Sequence, residues 1–271
     1  MSDPVRSFDI QSLRYLAEFR VLSVRQLAVL ENANVRSVRR RLASLDRQGF
    51  ITKRVRIRNG VRGKPEHIFH VTPRGLKLMQ SEGLGDFTFH RQLIPWENKI
   101  NVEHQLSVNW VLISAQLLER YTELEVRWLS RFSLSTPYGK KQREFSDAFP
   151  PIRNGYDNTP FVPDAVFTIT DSASSKTLLF FVEVDRDTES LFSHNPNQKT
   201  VGKKLLQYRS FLTSQAYKKY EAIFQAQFKG FRLLLVCTSS PRLSALCRLV
   251  TGMESADFVW LTTEASLLDH G

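Results

Sequence analysis

The sequence predicts an α+β fold in two domains: a small helical domain carrying one β-hairpin, then a larger α/β domain on a mixed sheet. Three observations carry this. The charge is divided, because residues 1–80 hold 17 Lys/Arg against 6 Asp/Glu, a net of +11 that equals the charge of the whole chain. Apolar residues recur at helical spacing up to about Gln48, and an alternating run follows. Beyond residue 98, long helical stretches alternate with short apolar runs, the pattern of layered α/β structure. A chain of 271 residues can bury two cores, and a hydrophobic fraction of 42% excludes wholesale disorder. The localised basicity points to a polyanion-binding module joined to a neutral domain with a different task.

No apolar run is long enough to span a bilayer, and none opens the chain as a cleavable leader. A cytoplasmic location with no membrane partner is therefore expected. Cys237 and Cys247 match neither zinc-ligand nor redox spacing. Both are expected as buried apolar residues in a reducing compartment.

The first domain, residues 1–82, begins with a helical stripe of Leu13, Leu16, Ala17 and Val21. Ser23-Val24-Arg25-Gln26 fits a capping box, so a second helix starts at Ser23, with Leu27, Val29 and Leu30 toward the core. Glu31-Asn32-Ala33-Asn34 is a polar break. A third helix is expected over about Val35 to Gln48. Its Val35, Val38, Leu42 and Leu45 share one side; Arg36, Arg40 and Arg47 take the other with Ser37 and Ser44, and Arg39 and Arg41 flank them. Guanidinium groups opposite an apolar anchor suit the major groove, where Arg pairs a guanine edge or holds phosphate. A solvated basic face is the alternative reading.

In the run Thr52 to Arg58, Val55 and Ile57 alternate with Arg54, Arg56 and Arg58, which predicts a half-buried strand with one basic face. Asn59-Gly60 turns the chain, Arg62 and Lys64 sit near the tip, and His67 to Val71 returns. His67 and His70 are expected at the surface or on nucleic acid. Thr72-Pro73 opens a closing helix, with Thr as cap and Pro in the first turn. Three helices, a basic hairpin and a closing helix resemble the winged helix-turn-helix domains of bacterial DNA-binding proteins, over about Phe8 to Glu82. The resemblance implies binding of double-stranded DNA.

Residues 83–97 read as linker and 98–271 as the second domain. A helix is expected over Lys99 to Tyr121, a strand over Glu123 to Phe132, and an irregular stretch over Ser133 to Pro160. Strands are expected at Phe161–Thr170 and Thr177–Val184, a single long helix at Gln198–Tyr220, then a strand at Phe231–Cys237. A helix from Pro241 and a strand at Phe258–Leu261 follow.

Three features in this domain carry chemistry. Pro163-Asp164 lies near the start of one strand, Glu183-Val184-Asp185 closes the next, and Lys204 and Tyr208 sit one helical turn apart. The arrangement resembles the PD-(D/E)xK nuclease superfamily over roughly Lys99 to Ser239. That resemblance implies a hard cation, Mg²⁺ or Mn²⁺, held by Asp164, Glu183 and the Val184 carbonyl beside a phosphate. Where that pattern has Lys two residues after the Glu, this chain has Asp185. Asp185 shares the strand face of Glu183, and is either an extra ligand or a strand end in solvent. The lysine has a candidate on the helix, Lys204 first and Lys203 next. Tyr208 echoes a helix motif of the RecB-like branches, and Glu103 could complete the metal shell. Each piece also has a plain structural reading, with Asp164 as a turn residue and Glu183 paired to Arg186 or a helix lysine.

The runs His104 to Asn109, Val162 to Ala165 and Phe181 to Arg186 resemble the replication-relaxation family of bacterial plasmids and integrating elements. The resemblance implies an amino-terminal winged helix, a nuclease-like domain, and a role in replication, mobilisation or maintenance of mobile DNA. The leading functional reading is a metal-dependent DNA endonuclease or nickase. The alternatives are a catalytically silent DNA-binding regulator whose second domain serves dimerisation or partner contact, and a winged helix acting as a protein-interaction module. A homodimer and proteins of replication, transposition or mobilisation are candidate partners.

Overall fold

The computed structural model describes residues 7–56, 66–84, 102–129, 162–195 and 197–268. They are mixed α and β structure and fall into two compact units, one running to Asn109 and one from Trp110.

The first unit contains α1 (Ser7–Phe19), β1 (Leu22–Ser23), α2 (Val24–Leu30), α3 (Val35–Arg47), β2 (Ile51–Arg56), β3 (Glu66–Val71) and α4 (Pro73–Ser81). Its sheet has the order β1-β3-β2, all antiparallel. The local signals act as expected. Gln26 N–H donates to Ser23 Oγ at 3.2 Å while Gln26 Oε1 accepts from Ser23 N–H at 3.1 Å, which satisfies two orphan donors at the start of α2. Asn34 Oδ1 caps α3 by accepting from Arg36 N–H, and Thr72 caps α4 with Pro73 just behind it. The stripes Leu13–Leu16, Leu27–Leu30 and Val38–Leu42–Leu45 are buried together with Met79.

The first turns of α5 (Val102–Tyr121) also belong to this unit. Leu106 packs on Val21 and Ile68, Gln26 Nε2 donates to Leu106 O at 2.7 Å, and buried Asn109 donates to the carbonyls of Phe19 and Val21. These two buried amides tie α5 to the start of α2 and to the turn after α1.

Two readings of the hairpin are corrected. Val55 is exposed, because β2 is an edge strand whose burial ends near Ile51. His70 is buried, on the inward stretch of β3 that runs to Val71, and burial lowers its pKa. Where α4 meets the start of β2, a Cβ at Gly75 would lie 2.2 Å from Phe50 O and 2.8 Å from Val71 Cγ2. Gly75→Ala is therefore expected to cost about 1–3 kcal/mol or more, since backbone cannot yield as a side-chain tip can. An unchanged melting temperature in the variant would refute this close approach.

The second unit holds a five-stranded mixed sheet of order β4-β5-β6-β7-β8. The strands are β4 (Leu124–Trp128), β5 (Ala165–Asp171), β6 (Lys176–Asp185), β7 (Phe231–Cys237) and β8 (Val259–Thr263). The pairs β4/β5 and β5/β6 are antiparallel, and β6/β7 and β7/β8 are parallel. Parallel neighbours need crossovers, supplied by α6 (Val201–Thr213) with α7 (Lys219–Phe224) and by α8 (Ser240–Thr251). A last helix, α9 (Glu264–Leu268), follows β8.

The single long helix expected over Gln198 to Tyr220 is instead two. It starts at Val201 behind the Thr200 cap, then breaks at Gln215, whose left-handed φ of 57° leads into the 3-10 turn Ala216–Lys218. The break lets Tyr217, Tyr220 and Phe224 enter the same core as Leu205, Tyr208 and Phe211. Phe181 centres that core, edge-on to Phe211, Tyr220 and Phe231. Cys237 is buried as expected, whereas Cys247 is exposed: α8 turns Leu246 and Leu249 inward, and Cys247 lies one 100° step past Leu246.

Candidate functional site

Odd-numbered residues of β6 face the core shared with α6, so Glu183 follows Leu179 and Phe181 on that face. Asp164, at the entry to β5, lies close enough to Glu183 to act on it electrostatically. Ala165 pairs with Val182, and Asp164 N–H also donates to Val182 O at 2.9 Å, one residue off the β5/β6 register, so the chain leaves the ladder just before β5. Asp164 Oδ2 accepts from Val184 N–H at 2.7 Å, which holds the carboxylate at the end of β6.

Glu183 is only 3% exposed, and both of its oxygens are engaged. Tyr208 Oη donates to Oε1 at 2.7 Å, and Lys204 Nζ lies 2.9 Å from Oε2. The one-turn spacing of Lys204 and Tyr208 on α6 aims both at one carboxylate. Burial raises the Glu183 pKa to about 7, with Asp164 adding to the rise and Lys204 opposing it. Burial alone would lower the Lys204 ammonium, but Glu183 and Glu189 hold it above its ordinary value. Burial and Glu183 together raise Tyr208, which stays a neutral donor.

A carboxyl that binds its proton more tightly when folded favours the folded state most below pH 4.5, and that contribution falls as pH rises through about 7. Its size is on the order of 3 kcal/mol. Denaturant titrations between pH 4.5 and 8 should show a declining wild-type stability that flattens in Glu183→Gln. Parallel curves for the two proteins would remove this account.

Asp185 shares the face of Glu183 but has a different partner. Its Oδ2 accepts from Arg242 Nε at 2.7 Å and its Oδ1 accepts from Asp187 N–H at 3.0 Å. Arg242 Nη2 also donates to Glu189 O at 2.5 Å. Asp185 is thus neither open to solvent nor directed at Lys204. Lys203 turns aside, donating to the carbonyls of Asn195 and Gln198. Sequence reading missed Arg242 and Glu189. Arg242 lies 57 residues from Asp185, and no spacing rule joins them.

In the first unit, Arg36, Ser37, Arg39, Arg40 and Arg47 all lie exposed on α3, and Arg54 is exposed on β2. Arg41 differs. Its guanidinium pairs with Glu31 and sits 5.8 Å from the Phe8 ring centroid, while Glu31 also accepts from Ser12 Oγ at 2.5 Å. Arg41 therefore ties α3 to α1 and the end of α2. Arg56 pairs with Glu66 through its backbone. Arg58, Arg62 and Lys64 lie outside the described residues.

A family model described as replication-relaxation matches residues 13–226. The chain belongs to the replication-relaxation family. The match runs from α1 to just past α7, so the family pattern takes in the arginine-bearing α3, Asp164, Glu183, Asp185, Lys204 and Tyr208. It ends before Arg242 and the parallel strands β7 and β8. No curated protein and no solved structure matches the chain significantly. Among the described residues, no helix of this replication-relaxation protein is long and apolar enough to cross a membrane.

Among the described residues, no group of three or more His, Cys, Asp and Glu side chains forms a ready metal cage. Asp185 is engaged by Arg242, and Glu103 lies on the first turn of α5 in the first unit. Within the second unit, the carboxylates that act on each other are Asp164 and Glu183. Mg²⁺ keeps several waters and is commonly held by one or two carboxylates plus substrate phosphate, so two oxygen ligands on adjoining strands fit it.

Proposed function

We propose that this protein is a Mg²⁺- or Mn²⁺-dependent DNA endonuclease or nickase acting on mobile DNA. The first unit serves as a winged helix-turn-helix and the second as a PD-(D/E)xK-like nuclease. The observation that carries the reading is the Asp164 carboxylate held on Val184 N–H beside Glu183, with Lys204 Nζ 2.9 Å from the Glu183 carboxylate. Two acids and one ammonium at one end of a mixed sheet are the charges that phosphodiester hydrolysis uses. Asp164 and Glu183 would hold the cation. When bound, it would supply a more acidic attacking water and neutralise charge on the phosphate.

Lys204 would orient that water and offset the charge gathered on phosphorus. The water gives up one proton to solvent as its oxygen bonds to phosphorus, the bond from phosphorus to the leaving sugar oxygen breaks, and that oxygen takes up a proton from solvent. Tyr208 fixes the Glu183 carboxylate through its hydrogen bond, and the buried setting strengthens each of these interactions. On α3, Arg36, Ser37, Arg39, Arg40 and Arg47, with Arg54 on β2, would hold double-stranded DNA. Arg56, Arg58, Arg62 and Lys64 belong to the same basic set in sequence. The family assignment supports a role in replication, mobilisation or maintenance of mobile DNA. A second copy of the chain and proteins of replication, transposition or mobilisation are candidate partners.

A second reading has one specific observation in its favour. The Asp185–Arg242 pair stands where a catalytic lysine would be expected, which suits a catalytically silent DNA-binding regulator. Incubating the purified protein with supercoiled plasmid separates the two. Nicked circles with Mg²⁺ or Mn²⁺ and none with chelator support the nuclease. Intact plasmid with every metal and substrate tried, alongside retained DNA binding, moves the assignment to the regulator.

A further inference from the structure

Lys204 has two carboxylate neighbours, and only one belongs to the proposed metal pair. Its Nζ lies 2.9 Å from Glu183 Oε2 and 3.3 Å from Glu189 Oε2. Any cation drawn to Glu183 competes with the ammonium for Oε2 and repels it. A lysine stem has four rotatable carbons and would swing away unless a second acceptor kept it. Glu189 is placed to do this. It is 36% exposed against 3% for Glu183, so it stands nearer to solvent and outside the buried pair.

The segment carrying Glu189 is tied at several points. Arg242 donates to the Glu189 carbonyl, and is itself paired with Asp185 at 2.7 Å and lies 3.7 Å from Asp187. The next two carbonyls, of Ser190 and Leu191, accept from Val201 and Gly202 N–H at 3.1 and 3.0 Å, in the first turn of the helix that bears Lys204. A Cβ at Gly202 would lie 3.1 Å from Leu191 O, so this approach is tight. The carboxylate and the ammonium are therefore carried by backbones that are bonded to each other.

We propose that Glu189 is a positioning residue that keeps the Lys204 ammonium at the scissile phosphate when a metal occupies Glu183, and that the Asp185–Arg242 pair holds the Glu189 segment in place. The proposal rests on the nuclease reading above. Asp185 thereby acts through Arg242 and Glu189 rather than as a ligand.

The test uses the full chain with isotopically labelled lysine ammonium groups, whose N–H signals are seen only when the ammonium is held against exchange with water. The Lys204 signal is identified by its loss in Lys204→Arg. It is expected to persist on adding Mg²⁺ to the wild type and to vanish on adding Mg²⁺ to Glu189→Gln. In nicking assays Glu189→Gln should lower kcat by about tenfold to a hundredfold. KM for the duplex should stay within about twofold, and Glu189→Asp should recover part of the loss. A Lys204 signal that responds to Mg²⁺ identically in wild type and Glu189→Gln overturns the proposal, as does an unchanged kcat. A wild type that nicks nothing sinks the nuclease reading, and with it the catalytic part of this proposal. The ammonium signal then still decides whether Glu189 holds Lys204.

Discussion

Asp164→Ala is expected to lower metal-dependent nicking by about a thousandfold or more, because a carboxylate lost from the proposed metal pair removes several kcal/mol of transition-state stabilisation. Duplex affinity should stay within about twofold, since the arginines proposed to hold phosphates belong to the other unit. The Ala variant also deprives Val184 N–H of its acceptor, which costs about 1–3 kcal/mol of stability. Asp164→Asn separates the two effects. Its amide oxygen can still accept from Val184 while the negative charge is gone, so nicking should fall as far with a smaller change in melting temperature. Glu183→Gln should behave alike, keeping an acceptor for Tyr208 Oη. Activity surviving in all three variants would remove Asp164 and Glu183 from the chemistry.

The second large effect is expected on α3. Arg36 and Arg40 are exposed one turn apart, opposite the buried Val38 and Leu42. If each makes a bidentate base contact, each Ala substitution should weaken specific binding by about 1–3 kcal/mol, and the double variant by roughly a thousandfold. If they hold phosphates instead, the slope of log affinity against log salt should become shallower by about 0.9 for each lost contact. Fluorescence anisotropy with a duplex at several salt concentrations distinguishes these. Arg41→Ala serves as the contrast. It strips the largely buried Glu31 of its cation, so it should cost about 3–5 kcal/mol of stability and act on DNA binding only through folding. Equal DNA affinity for wild type and the Arg36/Arg40 double variant, at every salt concentration, would reject the groove assignment for this helix.

Much of the architecture is legible in the residues because its causes are local. The Ser23–Gln26 box, the Asn34 and Thr72 caps and Pro73 each act within four residues, and each starts its helix where expected. The apolar run of β6 reads directly as a buried strand. What escaped depends on distant partners. The two-residue β1 exists only because β3 pairs with it, and the break at Gln215 follows from three aromatics needing one core. Val55 and His70 were misplaced for a related reason: alternation predicts which residues share a face, and not how far along the strand the core extends.

The candidate site divides in the same way. Residue type and strand-end position singled out Asp164, Glu183, Lys204 and Tyr208, and the last two share a helix face by spacing alone. Asp185 could not be assigned from its position, because being two residues from Glu183 sets its direction and leaves its partner open. Among the arginines of α3, nothing local separates Arg41 from Arg40. One pairs with Glu31 and the other stays exposed, through the rotation of α3 against α1 and α2.

By itself, the order of residues determined the concentration of basic charge in the first 80 residues, the capped helix starts of the first unit and the buried run of β6. Each of these needs only composition or contacts within a turn. Which cation meets which carboxylate was decided by tertiary structure alone. Lys204 to Glu183 spans 21 residues and Arg242 to Asp185 spans 57, and chain folding, not spacing, brings such groups within 3 Å.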